Sequence, residues 1–388
     1  MSEQTEAAQP TPLVIGVAAE KAAGERRLPV VPDVIKKYAG LGARALVERG
    51  AGAEAHFPDE AFGDVAFADS GEDVYAGADV VLCVQPPSQK LIGKLKPGAV
   101  LVGMLQPWSD AKRVQAIAKR GVTAFALELL PRISRAQSMD VLSSQAAVAG
   151  YACALIAANH CPKFFPMLTY AAGSIRPARV LVIGAGVAGL QAIATARRIG
   201  AQVEGYDVRP ETREQVESLG AKFVETGVDA TGEGGYAREL TADEKKQQAE
   251  RLGKAIAQCD VLITTAAVPG RKAPVIVTKK MVEQMKDGAV VVDLAAETGG
   301  NVEGTVAGEE KRVGGVLIVG PTNIASRMPV HASEMLAKNL FNFISPFIKD
   351  GALTLDWEDE VMSGACLTHD GEVRHEGVRK ALGLDSNN

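Results

Sequence analysis

Aromatic residues make up only 5% of this chain, and cysteine and histidine occur five times each. Cys83, Cys153, Cys161, Cys259 and Cys366 fall at no metal-ligand spacing, and the dispersed histidines supply none, so no metal site is expected. An odd, scattered set of cysteines is expected to be reduced thiols, mostly buried, in a cytosolic compartment. Positive charge is not in excess: 42 lysines and arginines face 47 acidic residues, a formal net charge of -5 with His neutral. That balance excludes a general cationic surface for nucleic acid. No basic segment leads into an apolar one at the start, so residues 1–12 read as a disordered tail rather than a signal peptide. The longest apolar stretches are interrupted before the roughly 18–20 residues of a membrane span. Work at a membrane would then need another chain as the anchor.

What is present is the composition of a folded soluble protein, 47% hydrophobic and 23% charged over 388 residues. That length accommodates two domains with substantial cores. Short β-rich runs at Leu13–Val17, Arg44–Val47, Val80–Cys83, Ala99–Val102 and Thr123–Ala126 alternate with helix-like stretches at Pro32–Leu41, Val74–Ala76 and Asp110–Arg120. This rhythm predicts a parallel α/β sheet. A second series follows at Val180–Ile183, Gln202–Tyr206, Lys222–Phe223, Val261–Thr264, Ala289–Asp293 and Val316–Ile318. The expected fold is α/β, two Rossmann-like domains with parallel sheets joined by long interdomain helices.

The first domain is read as discontinuous, residues 13–135 with 345–388. Residues 136–160 form a linking helix region, 161–330 a nucleotide-binding Rossmann domain, and 331–344 a return helix. The polar 227–246 stretch reads as an exposed, mobile excursion. Short strands are expected on either side of the Asp370-Gly371 turn.

The strongest motif is Val180-Leu-Val-Ile-Gly184-Ala-Gly186-Val187-Ala-Gly189, an apolar strand entering a GxGxxG loop before a helix. Gly184 permits the tight turn, Gly186 lets backbone approach a pyrophosphate, and Gly189 allows close helix–strand packing. The helix N-terminus favours the anion. A bare GxGxxG is weak, because glycine loops also serve ordinary packing. Asp207, at the end of the next apolar strand, supplies the context: its carboxylate can accept bonds from the adenosine-ribose hydroxyls and repel a 2'-phosphate. NAD(H) is therefore favoured over NADP(H), with Arg209 a group that could accommodate phosphate. Thr264, Thr265 and Pro269-Gly270 follow a later strand on the ligand side, where turn formation and nucleotide contact are equally good readings.

Residues Pro131–Gln145 break the βα rhythm at the expected domain junction. Arg132 offers a planar fork, Gln137 donates and accepts, and Asp140 can orient either. These groups suit a nicotinamide carboxamide or a second reactant, and equally an interdomain ion-pair and capping network.

Taken together, Pro131–Gln145, Gly184–Ala194, Gly234-Gly235-Tyr236 and Val319-Gly-Pro-Thr-Asn323 resemble the NAD(H)-binding, membrane-extrinsic component of bacterial proton-translocating NAD(P) transhydrogenase, the first of the two chains into which the alpha subunit can be split. The resemblance runs from Leu13 to His375, and ending near residue 388 is similar to the split form whose membrane helices are encoded separately. It implies a homodimer, NAD(H) on this chain, NADP(H) on a partner beta subunit, and a membrane-spanning second alpha chain. The location implied is the cytoplasmic side of the bacterial inner membrane. It also implies that Arg132, Gln137, Asp140 and Ser143 surround the nicotinamide end, that Asp207 holds the adenosine ribose, and that Tyr236 tips a mobile loop closing over nucleotide.

Alanine dehydrogenase is the more distant resemblance. Arg27 is compatible with its substrate arginine. However, Cys83-Val84-Gln85 stands where those enzymes carry Lys-Val-Lys, Gln106 where they carry a catalytic histidine, and Asn323 where an aspartate is expected. Glutamine cannot replace a titrating base near neutral pH. Ala18-Ala19-Glu20 also departs from the Pro-Lys-Glu common to the transhydrogenase relatives, leaving Lys21 just beyond. Direct hydride transfer between two nucleotides needs positioning rather than a general base. A stand-alone amino-acid dehydrogenase and an NAD(H)-sensing scaffold are the alternatives.

Overall fold

The computed structural model describes residues 12–230, 238–268 and 270–384. The chain divides into two compact units, one formed by Met1–Ser144 with Pro329–Asn388 and the other by Gln145–Met328.

In unit one, the strands β1 (Val14–Val17), β2 (Arg44–Glu48), β3 (Ala66–Ala68), β4 (Val80–Cys83), β5 (Val100–Gly103) and β6 (Thr123–Ala126) pair in parallel. Their spatial order is β3-β2-β1-β4-β5-β6, and Cys366–His369 and Glu372–Val373 add antiparallel strands beyond β6. The late strands flank the Asp370-Gly371 turn. The central strands are nearly continuous apolar runs because both faces are covered. Ile15, Val80, Leu82 and Phe125 point into one core, while Val81, Leu101 and Ala124 point into the other. Helix Pro329–Ile344 lays Leu336, Leu340, Phe343 and Ile344 into the first of these cores. It gives way to a 3-10 turn and the short strand Ile348–Lys349.

Unit two repeats the plan. A small hairpin, β7 (Leu168–Tyr170) with β8 (Gly173–Ile175), precedes the main sheet. That sheet comprises β9 (Arg179–Ile183), β10 (Gln202–Tyr206), β11 (Lys222–Phe223), β12 (Val261–Thr264), β13 (Val290–Asp293), β14 (Glu310–Val313) and β15 (Val316–Val319). Its order is β11-β10-β9-β12-β13-β15-β14, with only the edge strand β14 antiparallel. Val180, Val182 and Ile263 enter one core and Leu181, Ile183 and Leu262 the other. In each sheet the order reverses beside the first strand, and the crevice outside the carboxyl ends there is where open α/β sheets take ligands.

Two expectations need correction. The polar stretch read as an excursion through Lys246 contains the start of a 17-residue helix, Ala242–Gln258. Thr241 and Glu244 form a capping box, and Gln248, Leu252 and Ile256 are buried. The charged outer face of the helix masks a narrow apolar stripe, while Thr-x-x-Glu is the legible signal. The apolar stretches also reach further than expected: helix Val141–His160 has 20 residues and is long and apolar enough to cross a membrane. Ala152, Cys153, Ala154, Ile156 and Ala157 of this helix are buried in the core of unit two.

Candidate functional site

The glycine loop lies at the carboxyl end of β9, in the crevice of unit two's sheet. Gly184 turns at φ +94 and donates its N–H to the Tyr206 carbonyl at 2.8 Å. Gly186 then caps helix Val187–Arg198. The three glycines answer to different constraints. A Cβ on Gly184 would lie 2.7 Å from Thr265 Oγ1, and one on Gly189 only 1.7 Å from the Gly184 carbonyl oxygen. One on Gly186 would meet nothing within 4 Å. No described residue forbids a side chain there, while a phosphate resting on the helix N-terminus would. Val187, the first residue of the helix, is correspondingly exposed.

Asp207 follows β10 and is buried. Its Oδ2 accepts from Ala185 N at 2.7 Å and from Arg209 Nη2 at 2.8 Å. Its Oδ1 accepts from Arg209 N at 3.0 Å and Arg209 Nε at 2.8 Å. The carboxylate thus ties the glycine loop to its own strand and grips a guanidinium two residues away. Beyond it a cavity of about 220 Å³ is lined by Asp207, Pro210, Arg213, Phe223, Thr226 and Val228, among others.

Thr264 and Thr265 separate. Thr264 is fully buried and donates to Asp293 Oδ1 at 3.0 Å, so its hydroxyl is engaged inside the fold. Thr265 Oγ1 donates to the Gly184 carbonyl at 3.1 Å, supporting the loop from beneath. Asp293, at the carboxyl end of its strand, accepts from the Asn301 and Val302 amides and from the Thr305 hydroxyl, which fixes the loop after β13. Gly270 is exposed at φ +73. Pro269 and the stretch containing Gly232, Gly234, Gly235 and Tyr236 lie outside the described residues.

In unit one, Ser134–Met139 forms a 3-10 turn anchored by buried Ala136 and Met139. Asn339 and Asn342 Nδ2 both donate to the Ser138 carbonyl, at 2.9 and 3.0 Å. This pins the turn to helix Pro329–Ile344 and leaves Arg132 and Gln137 exposed. Asp140 and Ser143 act on the start of helix Val141–His160: Asp140 Oδ1 accepts from Ser143 N at 2.9 Å, and Oδ2 from the Ser143 hydroxyl. Capping is thus one observed role of this pair.

At the carboxyl ends of unit one's strands, two carboxylates accept backbone amides. Glu20, just after β1, accepts from the Val84 and Gln85 amides beyond β4. Glu128 accepts from Leu105 N at 3.1 Å and Gln106 N at 2.7 Å beyond β5. Burial pushes both carboxyls up to about 7. Arg27 forms a buried fork with Glu25, Gln85 Nε2 donates to Glu25 at 2.8 Å, and Gln106 Nε2 donates to Gln85 Oε1 at 3.0 Å. The two glutamines therefore close a chain with no titrating imidazole or amine in it. Neither Glu20 nor Glu128 stands out in the sequence as a titrating group, because their burial depends on strands far apart in the chain.

Two family models match: the N-terminal domain of alanine dehydrogenase/PNT over residues 16–149 and its C-terminal domain over 153–376. The first part of NAD(P) transhydrogenase subunit alpha from Rhodospirillum rubrum is 46% identical over 374 residues, covering 93% of this chain and 97% of the relative. Alanine dehydrogenase of Bacillus subtilis is 27% identical over 392 residues, 96% of each. Among solved structures, the transhydrogenase from Sinorhizobium meliloti superposes with a TM-score of 0.83 at 41% identity. That match covers 94% of this chain and 99% of that one.

Proposed function

Because this chain belongs to the alanine dehydrogenase/PNT family, we propose that it is the NAD(H)-holding component of a proton-translocating transhydrogenase. Bound NADH supplies the hydride, which passes to NADP+ held by a partner beta subunit. A membrane-spanning second alpha chain completes the complex on the cytoplasmic side of the inner membrane, and this chain works as a homodimer. The observation that carries nucleotide binding is the open space at Gly186, on a helix N-terminus in the sheet's crevice, beside two glycines that packing alone explains. The 46% identity over nearly the whole chain supports transhydrogenase rather than another use of that site.

In this reading Gly186 and Val187 receive the pyrophosphate, Gly184 and Gly189 shape the loop that presents them, Thr265 braces it and Gly270 lies at its rim. Asp207 takes the adenosine ribose and Arg209 moves with it. Arg132 and Gln137 orient the nicotinamide end, Asp140 and Ser143 support that segment, and Tyr236 closes over the nucleotide. The work is positioning, and no residue of this chain takes a proton from the reacting atoms. Purified chain mixed with an NADP(H)-binding transhydrogenase component should exchange hydride rapidly between the two nucleotides. A folded mixture with both nucleotides bound and no exchange would refute the reading. An amino-acid dehydrogenase is disfavoured by Gln85 and Gln106, which bond to one another and cannot titrate.

A further inference from the structure

We propose that Asn301 is a positioning residue for the nicotinamide half of the dinucleotide, acting through the chain that leaves β12. The inference goes beyond the reading of the glycine loop as an NAD(H) site and rests on it. Asn301 lies in the loop after β13 and is fully buried. Its Oδ1 accepts from Ala266 N at 3.0 Å, and its Nδ2 donates to the Ala266 carbonyl at 2.8 Å and to the Pro274 carbonyl at 2.9 Å. Both hydrogens of the side-chain amide are thereby used. A primary amide carries the donor and acceptor of a peptide group, so Asn301 pairs with Ala266 as an adjacent strand would. It also ties Ala266 to Pro274, further along the chain.

Asn301 is itself anchored through its backbone. Its N–H donates to buried Asp293 Oδ2 at 2.9 Å, and its carbonyl accepts from Ile276 N and Val277 N at 2.8 and 2.9 Å. These bonds do not involve the side chain, so a substitution at 301 releases Ala266 and keeps the anchor. Ala266 adjoins the glycine loop: a Cβ on Gly184 would lie 3.1 Å from Ala266 N and 2.7 Å from Thr265 Oγ1. The chain that Asn301 holds therefore packs against the glycine loop on its β12 side, opposite Asp207 on the β10 side. A dinucleotide lies across the point where the strand order reverses, one mononucleotide half to each side. With the adenosine beside Asp207, the nicotinamide ribose falls beside Thr265 and Ala266. Asn301 has no exposed surface and acts on that half only through Ala266.

The test titrates NADH and 5'-AMP separately into the wild-type chain, Asn301→Asp and Asn301→Ala by calorimetry, with circular dichroism to verify folding. Asn301→Asp keeps the side-chain shape and the acceptor for Ala266 N, but sets an oxygen against the Ala266 and Pro274 carbonyls. Asn301→Ala removes the clasp without adding charge, and covers the case in which the aspartate variant does not fold. Each folded variant should bind NADH at least about tenfold more weakly than the wild type, while its affinity for 5'-AMP, which has only the adenosine half, changes by less than about twofold. A general loosening of unit two would instead weaken both ligands alike. Folded variants that bind NADH as the wild type does overturn the inference and leave the NAD(H) site standing. Equal losses of NADH and 5'-AMP also overturn it, reducing Asn301 to a support of the fold. A wild type that does not bind NADH overturns the site itself, and the inference with it.

Discussion

A methyl group on Gly189 would lie 1.7 Å from the Gly184 carbonyl oxygen, whereas one on Gly186 would touch nothing within 4 Å. The two positions in one motif should therefore fail differently. Gly189→Ala is expected to lower the stability of unit two by about 1–3 kcal/mol or more, since backbone cannot yield as a flexible side chain does. Gly186→Val is expected to keep the wild-type melting temperature while weakening NADH binding at least about tenfold. Its backbone, at φ -78, is open to any residue. Calorimetric titration beside thermal melts separates these outcomes, and a Gly186→Val variant that binds NADH normally would remove the phosphate from that position. The motif is fully legible in sequence. Which glycine faces a ligand is not, because that depends on Thr265 and the Gly184 carbonyl closing over the other two.

At the scale of elements, the two sheets treat their carboxyl ends differently. In unit one, Glu20 and Glu128 occupy the amides that follow β4 and β5. In unit two the glycine loop leaves its helix N-terminus open. Folding raises the Glu20 and Glu128 carboxyls from 4.5 to about 7 by burial. The folded state therefore holds protons that the unfolded chain releases. The stabilisation this gives is complete below about pH 4.5 and is lost as pH rises to about 7. For Glu128→Gln, the stability of the variant relative to wild type should rise across that window, by up to about 3 kcal/mol. Denaturant midpoints at pH 5 and pH 8 measure it, and a pH-independent difference would show that Glu128 is not protonated by folding. The helix Ala242–Gln258 offers a second check: Thr241→Ala removes its capping box and should cost about 1 kcal/mol.

For the whole molecule, two units whose first five strands share one order differ in the groups at their carboxyl ends. Unit one has the plan shared with alanine dehydrogenase, yet its Gln85–Gln106 pair offers no base for an amino group. The purified chain is accordingly expected not to reduce NAD+ with L-alanine or another amino acid, by NADH absorbance, while still binding NADH. Amino-acid-dependent reduction at a rate comparable to a dehydrogenase would reverse the assignment.

The sequence by itself determined what lies within a few residues along the chain. It set the alternation of apolar strands and helices, the GxGxxG turn into a helix, the carboxylate at Asp207, and the glutamines at Gln85 and Gln106. These signals are local because strand burial, turn conformation and helix capping act between near neighbours. Only the tertiary structure decided what those residues touch. It turned the Thr264 hydroxyl inward to Asp293, joined Gln85 to Gln106, set Glu20 and Glu128 against amides of other strands, and filled Asp207 with the Arg209 fork. Most of those contacts join the ends of strands that are far apart in the chain. Arg209 lies only two residues from Asp207, yet its fork depends on a rotamer and a burial that neighbouring residue types do not specify.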